Sequence, residues 1–394
     1  MATSSKAPGS GPGPSVEMPQ SRPLQIFLLV ALIISGASYV ADEWNHVFAP
    51  RHVPPDRLHR LVESRTEYAA HMEAGLRALR RNQFEQALAQ FRLAGQAQNS
   101  AESHYNMAMA LLKLTRPEEA LAQFKEAVRL NPHYTEVYLA WGQALMAEGR
   151  PEEAASVFHE ALRVSPNSGL AQFDSALALI AQKKIAQADQ QSAEDQDRAA
   201  DAVTLGAKVE RLRAEALQRL GQAQRLGFER PELFLEYGEL LNEAQKFAEA
   251  ESYLQNAISN KPDSADTHFA LGIAEEHLGK DTDAIGQYQA TLALRPDDPP
   301  TLARLALIYA TTTNTDLRSP KMAVQLATRA NDATIAQNPR FLDTLARCYA
   351  QDGDFLQAIN WEGQAIHRAA QIHDVTLLQE LRPRYELFVQ HKTG

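Results

Sequence analysis

A four-residue pattern recurs along this 394-residue chain at an interval of 34 residues. It consists of a small residue, a large residue four positions later, a second small residue after three more, and a proline after another five. The first three positions lie on one face of an α-helix, and the proline marks where that helix ends. The pattern therefore predicts a helix that is repeated along the chain. Its clear copies are Ala120, Phe124, Ala127 and Pro132; Ala154, Phe158, Ala161 and Pro166; Ala250, Leu254, Ala257 and Pro262; and, with two substitutions, Ala284, Tyr288, Thr291 and Pro296.

A second apolar stretch precedes each copy and predicts a second helix. It carries a small residue twelve positions before the first alanine of the pattern, at Ala108, Gly142, Gly238 and Gly272. A small side chain at this position lets two helices approach closely, so each unit is predicted to be an antiparallel helical hairpin. A hairpin of this size cannot bury its own apolar face, and neighbouring hairpins must therefore stack to form a continuous core.

The period, the residue types and the proline stop resemble the tetratricopeptide repeat (TPR) family. The resemblance covers residues 68–372. It implies an all-α fold, a right-handed α-solenoid of about eight helical hairpins. The residues that carry it most clearly are Trp141, Gly142, Leu145 and Gly149 in one unit and Phe234, Tyr237, Gly238, Leu241 and Phe247 in another.

The first and the last units depart from the pattern, as expected of terminal repeats that face solvent on one side. Asn99 takes the place of the proline in the first unit, and Glu362 takes the place of the large residue in the last. Apolar residues at helical spacing from Leu377 to Phe388 predict a capping helix within residues 373–394. Units are predicted to start near Tyr68, Ala101, Thr135, Gly169, Pro231, Ala265, Pro299 and Pro339.

Two interruptions of the period predict insertions. The spacing between Ala154 and Ala250 is two periods plus 28 residues, and the surplus falls at residues 183–208. The polar stretch 187–201 contains no glycine or proline, which predicts a helical extension that projects into water. It is either a partner-docking arm or a tolerated insertion. The second interruption, at residues 311–319, predicts a solvated loop inside the seventh unit.

The N-terminus differs from the repeats. Residues 1–23 are rich in Ser, Gly and Pro, which predicts a disordered tail. Residues 24–41 carry no charge and are just long enough to span a bilayer, so they are predicted to form a single transmembrane helix, a signal anchor. Lys6 and Arg22 precede this segment, while Asp42 and Glu43 follow it. The positive-inside tendency therefore places the tail in the cytoplasm and the repeats on the extracytoplasmic, periplasmic side.

The same segment also has features of a secretory signal peptide. Ser35 and Ala37 are small residues that follow the apolar run, as residues before a cleavage site do. A long preceding region that contains Glu17 favours the uncleaved anchor, but cleavage stays open. Residues 42–67 are predicted to be a linker that is extended at its prolines and then carries a short helix starting at Asp56.

Net charge and missing motifs exclude several classes of function. The formal net charge is −10 and no run of Lys and Arg forms a basic stripe, which argues against nucleic acid as a partner. The single cysteine, Cys348, excludes an intramolecular disulfide framework. No Gly-rich phosphate loop, HExxH, GxSxG or Cys/His zinc spacing occurs in the sequence. The sequence therefore predicts no catalytic, cofactor-binding or metal-binding residue, no enzyme activity and no small-molecule substrate.

In proteins that this chain resembles, the first helix of each hairpin lines a concave groove that holds an extended peptide or a partner helix. Here that groove would have apolar residues bordered by acids, which suits an apolar or basic segment. Chaperone-binding members clamp a C-terminal carboxylate with lysines, arginines and asparagines, which these positions do not supply, so docking of that kind is not expected. The resemblance implies the following partner-binding residues: Tyr105, Met109, Lys113, Leu139, Gln143, Met146, Leu235, Glu239, Asn242, Glu243, Phe269, Ile273, Glu276 and His277.

Together these features predict a membrane-anchored, non-catalytic adaptor that binds a peptide or partner protein for the assembly of a complex. A secreted or periplasmic binding protein, released by signal cleavage, is one alternative. A regulatory subunit of an enzyme or transport complex is another.

Overall fold

The computed structural model describes residues 55–196, 198–334 and 338–393. The chain divides into two units, residues 1–67 and 68–394. The tail, the transmembrane helix and most of the linker that the sequence predicts lie outside the described residues. Within the described ranges, no helix is both long and apolar enough to cross a bilayer.

All regular secondary structure in these ranges is helical, which confirms the all-α prediction. The first helices of the second to eighth hairpins begin at the residues where the sequence places the starts of these units. The described part of the chain has seventeen helices: α1 (Pro55–Arg80), α2 (Phe84–Ala97), α3 (Ala101–Lys113), α4 (Pro117–Leu130), α5 (Thr135–Ala147), α6 (Pro151–Val164), α7 (Gly169–Asp195), α8 (Ala199–Arg225), α9 (Pro231–Glu243), α10 (Phe247–Asn260), α11 (Ala265–His277), α12 (Asp281–Leu294), α13 (Pro299–Thr311), α14 (Pro320–Ala333), α15 (Pro339–Asp352), α16 (Phe355–Gln371) and α17 (Val375–Val389).

The first helix differs from its prediction. The sequence predicts a short linker helix from Asp56 and a separate repeat helix from Tyr68, whereas the structure has one helix of 26 residues, Pro55–Arg80. No proline follows Pro55 within this stretch, so nothing in it stops the helix once it has started. Proline at the first position of a helix is well tolerated.

The hairpins pack through the repeated stripe. Phe124 and Phe158 are 0% and 1% exposed, and the alanines that flank them are fully buried. A Cβ atom added to Gly142 would lie 2.4 Å from Cε1 of Phe158, so only glycine allows this approach of α5 to α6. Gly75 stands in the same relation to Phe91, again at 2.4 Å. Gly75 lies twelve positions before Ala87, the same spacing as the small residues of the clear repeats.

Local signals fix where several first helices begin. The side chain of Ser100 accepts a hydrogen bond from the backbone N–H of Ser103 at 3.1 Å. Ser264 does the same for Thr267 at 3.3 Å. These side chains satisfy N–H groups that have no partner within the helix. The junctions between hairpins are therefore set by residues adjacent to them in the sequence.

The fourth hairpin is longer than the others. Its helices α7 and α8 have 27 residues each, against 13 and 14 in the third hairpin. We refer to its distal half, residues 183–208, as the arm. Val203 on the arm is 74% exposed, but Lys183 at its base is only 1% exposed. Helix α7 also contacts α17. The arm therefore does not simply extend into water, because its base is buried.

The loop between α13 and α14 is more structured than the sequence predicts. Thr312 is buried, and its hydroxyl donates a hydrogen bond to Asp281. The backbone N–H of Ser319 donates to the carbonyl of Tyr309 at 2.8 Å. One end of the loop is thus fixed to α12 of the preceding hairpin, and the other end is fixed to α13 of its own hairpin.

Helix α17 covers the last hairpin. Leu377, Leu381 and Phe388 are 2% exposed or less and pack against α15 and α16. Glu362 of α16 occupies the position of the large stripe residue and is completely buried. The cap therefore lies over an acid where earlier hairpins have an aromatic or aliphatic side chain.

Candidate partner-binding surface

The fourteen predicted partner-binding residues lie on the first helices α3, α5, α9 and α11. We refer to the side of these helices that carries them as the first-helix surface. Four of the fourteen are exposed, namely Lys113, Gln143, Glu243 and His277, and the other ten are half-buried. None belongs to the fully buried core, so the surface is built from side chains that pack on one side and are accessible on the other.

The apolar surface residues of the second and third hairpins pack against aromatic and aliphatic side chains of the core beneath them. The ring of Tyr105 lies 6.3 Å from that of Phe124 and 5.6 Å from that of Tyr134. Burial raises the pKa of Tyr105, and the charge of Glu136 adds to this, so the phenol stays neutral at ordinary pH. Met109, Leu139 and Met146 contact the same core cluster. This part of the surface is an apolar strip.

Several polar members connect adjacent hairpins. Gln143 Nε2 donates to Asp174 Oδ2 of α7 at 2.8 Å. Asn242 Nδ2 donates to the backbone carbonyl of Ala270 in α11, also at 2.8 Å. These bonds hold one first helix against the next. The two side chains therefore stabilise the stack as well as belonging to the surface.

Glu276 and His277 on α11 are also engaged. Glu276 Oε2 accepts hydrogen bonds from the hydroxyl of Tyr288 at 2.6 Å and from Arg304 at 3.1 Å. The ring of His277 stacks on that of Phe247 with centroids 4.2 Å apart. The hydroxyl of Tyr288 is thus satisfied although its side chain is fully buried.

The base of the arm contacts the first-helix surface at Glu243. Lys183 Nζ forms an ion pair with Glu243 Oε2, and Arg213 Nε lies 3.7 Å from the same oxygen. Sequence reasoning missed Lys183 and Arg213, because both lie at the edges of the insertion, where the repeat offers no template. The only signal was a lysine pair, Lys183 and Lys184, at the point where the period breaks.

Two further acids extend the surface on α9 and α11. Glu236 is half-buried beside Glu239, and Asp266 faces them from α11. Burial, with a further contribution from the charge of Glu236, raises the pKa of Glu239 to about 7. Burial also raises the pKa of Glu236, against the opposing charges of Lys184 and Lys183. Among the described residues, neither Glu236 nor Glu239 has a hydrogen-bond or ion-pair partner.

The described residues offer little for catalysis. No group of three or more His, Cys, Asp or Glu residues in them is placed to hold a metal ion. Cys348 is fully buried, and burial raises the pKa of its thiol to about 12. A thiol in this state is a poor nucleophile.

Stacked two-helix hairpins with a 34-residue period form an α-solenoid, a class of repeat protein that presents one row of helices as a continuous binding surface. Models of the family described as tetratricopeptide repeat match residues 101–134, 145–209 and 235–299. The chain belongs to the tetratricopeptide repeat family. Proteins of this family generally mediate protein–protein interactions and are typically non-catalytic scaffolds.

Solved structures are similar to parts of this chain. YrrB, described as a TPR protein with an unusual peptide-binding site, is 18% identical with a TM-score of 0.42, over 54% of this chain and 92% of its own. For pilF of Pseudomonas aeruginosa the identity is 18% and the TM-score 0.49, over 62% of this chain and 99% of its own. TTC0263, a thermophilic TPR protein of Thermus thermophilus, is 20% identical with a TM-score of 0.36, over 52% of this chain and 96% of its own. A comparison with curated proteins gives no significant match.

Proposed function

We propose that this chain is a non-catalytic, membrane-anchored scaffold whose first-helix surface is a concave groove that binds a peptide or partner protein for the assembly of a complex. The observation that carries this proposal is the state of the fourteen surface residues, which are all accessible without being core. Core residues serve only the fold, whereas a row of half-buried apolar and polar side chains across several repeats is the kind of surface that an extended segment covers.

The apolar strip on α3 and α5 supplies the affinity in this proposal. Tyr105, Met109 and Met146 are half-exposed, and methionine and tyrosine adapt well to varied partners. The polar residues on α9 and α11 supply the specificity, because charges decide which partner is tolerated. The chain thus acts by holding another protein, and it carries no catalytic motif of its own.

Membrane anchoring is the second part of the proposal and rests on the sequence. Residues 24–41 are uncharged, with Arg22 before them and Asp42 after them. This arrangement favours an anchor with the repeats on the extracytoplasmic side. A periplasmic or secreted form after cleavage is the alternative.

Affinity purification tests both parts. The full chain with a C-terminal tag is extracted in a nonionic detergent, and mass spectrometry identifies its own N-terminus and the co-purifying proteins. We expect an intact N-terminus and a partner in stoichiometric amount. A chain that begins near Ser38 and is found in the soluble fraction would overturn the anchor.

A triple variant, Lys113→Ala, Gln143→Ala and His277→Ala, tests the surface. All three side chains are exposed, but Gln143 bonds to Asp174 and His277 stacks on Phe247, so thermal unfolding of the variant must first show that the fold is kept. We expect the variant to lose the partner. Leu356→Ala is the matched control, because Leu356 is 82% exposed on α16, away from the first-helix surface. Equal recovery of the partner by the triple variant and the control would overturn the proposal.

A further inference from the structure

We infer that the α9–α11 part of the first-helix surface takes a cationic, amphipathic segment of a partner protein, an inference that rests on the proposed function. The surface there combines apolar side chains with two carboxylates, those of Glu236 and Glu239, that the described residues leave unpaired. The partner class follows from both features, because a segment that carries apolar residues and lysines or arginines complements both.

The carboxylates form one electrostatic group. Glu236, Glu239 and Glu243 follow one another in α9 at spacings of three and four residues, so they lie on one face of this helix. The charges of Glu236, Glu243 and Asp266 all raise the pKa of Glu239, which agrees with this placement. Asp266 is paired with Arg295 at 2.7 Å, and Glu243 with Lys183. Glu236 and Glu239 have no such partner in the described part of the chain. Half-buried carboxylates close to one another cost free energy of folding, so cations that approach them bind favourably.

The arm shows how a cationic segment lies on this surface. Lys183 is 1% exposed and reaches Glu243 from α7, and the charge of Lys184 lowers the pKa of Glu236 and of Glu239. Two consecutive lysines at the base of the arm thus already face α9. Lys183 pairs with Glu243, but among the described residues neither lysine forms a direct bond with Glu236 or Glu239. Glu236 and Glu239 thus lie on the same helix as Glu243, which the chain's own Lys183 contacts.

Apolar side chains lie among the acids. Leu235 precedes Glu239 by one helical turn, and Phe269 and Ile273 occupy the equivalent positions of the next hairpin. All three are half-exposed. The ring of Phe269 is held by a contact with Tyr288, at 6.0 Å between centroids. An amphipathic partner segment would cover this apolar row with one face and bring its cations to the acids with the next.

The test uses two synthetic amphipathic peptides of about 18 residues, one of leucine and lysine and one of leucine and glutamate, with the same helical pattern. Their binding to the immobilised full chain in a nonionic detergent is measured by biolayer interferometry, with empty micelles on the reference sensor. The test variant is Glu236→Gln with Glu239→Gln. The control variant is Glu85→Gln with Glu148→Gln, which changes the net charge equally at exposed positions in α2 and directly after α5.

We expect the native chain to bind the lysine peptide and not the glutamate peptide. The test variant should weaken binding at least about tenfold and the control variant less than about twofold, since long-range attraction by the net charge is the same in both. The test variant removes repulsion between half-buried acids, so it should melt at no lower temperature than the native chain.

Equal weakening in both variants would overturn the inference, because net charge alone would then explain the binding. Binding of the glutamate peptide, or no binding of the lysine peptide, would overturn it as well. A partner that depends on Lys113, Gln143 and His277 in the purification but is retained by the test variant would leave the proposed function standing and refute this inference alone.

Discussion

Glu362 is the residue that departs furthest from the repeat. Its position holds Phe, Leu or Tyr in most other hairpins, yet its carboxyl group is completely buried, and neither oxygen has a hydrogen-bond partner within the described part of the chain. Arg384 of α17 comes within 4.0 Å but donates its hydrogen bond to Asp343. Burial raises the pKa of Glu362, and the charge of Asp343 raises it further. The carboxyl group is therefore kept in its neutral form.

Glu362→Gln tests this state through the pH dependence of stability. The folded-state pKa lies above the unfolded-state value of about 4.3. The contribution of Glu362 to stability is therefore fully present below that value and is lost as the pH rises through the folded-state pKa. Between about pH 5 and pH 9, we expect the free energy of unfolding of the native chain to fall relative to that of Glu362→Gln. Urea unfolding at several pH values measures it, and parallel curves for the two proteins would contradict the prediction.

Two glycines inside helices make opposite predictions for the same substitution. A Cβ at Gly142 would lie 2.4 Å from the ring of Phe158, whereas a Cβ at Gly286 of α12 would meet nothing within 4 Å. We expect Gly142→Ala to lower the free energy of unfolding by about 1–3 kcal/mol, because the ring must shift. Gly286→Ala should raise it by about 0.5–1 kcal/mol, because alanine restricts the unfolded chain. Thermal unfolding of both variants measures the difference, and a change of the same sign in both would contradict it.

At the scale of elements, the sequence predicts what is fixed locally. Helix α3 begins at Ala101, directly after the capping residue Ser100, and α15 begins at a proline, Pro339. The sequence shows both signals locally. The sequence did not predict that α1 is a single helix, because a segment that starts with several prolines resembles a linker. Only the absence of a later proline, which would end the helix, distinguishes such a segment from a linker. Asp174 and Lys183 were missed as parts of the candidate site, since their partners Gln143 and Glu243 lie 31 and 60 residues away. The Lys183–Glu243 pair spans the insertion, where the repeat offers no template, and the Gln143–Asp174 pair joins adjacent hairpins through positions that the repeated stripe does not describe.

The ion pair between Lys183 and Glu243 joins the arm to α9, and a double-mutant cycle tests it. Glu243→Gln leaves the buried Lys183 ammonium without its partner, so we expect a loss of about 1–3 kcal/mol. Lys183→Met leaves Glu243, an exposed carboxylate that Arg213 still approaches at 3.7 Å, and should cost less. The double variant should be more stable than Glu243→Gln alone. Urea unfolding of the four proteins measures this, and strictly additive losses would show that the pair does not couple the two helices.

At the scale of the whole molecule, one contact departs from the rule for repeat proteins. In such arrays each hairpin contacts only its neighbours, so stability is a sum of local terms. Within residues 68–394, however, α7 of the fourth hairpin contacts α17, which caps the eighth. The period predicts the contacts between neighbouring hairpins, but it cannot predict this one, because it joins the fourth hairpin to the cap of the eighth. The contact joins α7 to α17, and the α9–α11 part of the first-helix surface lies between these two helices in the chain.

Hydrogen exchange of the full chain shows whether this contact couples distant parts. Arg384→Ala removes the hydrogen bond of α17 to Asp343 and loosens the cap without shortening the chain. In an array with neighbour contacts only, faster exchange would be confined to α15, α16 and α17. We expect exchange in α7 to become faster as well, because α17 supports it directly. Helices α3 and α4 serve as the internal control and should not change. Faster exchange in α15 to α17 with unchanged exchange in α7 would show that the contact carries no stability, and that the fourth hairpin opens independently of the cap.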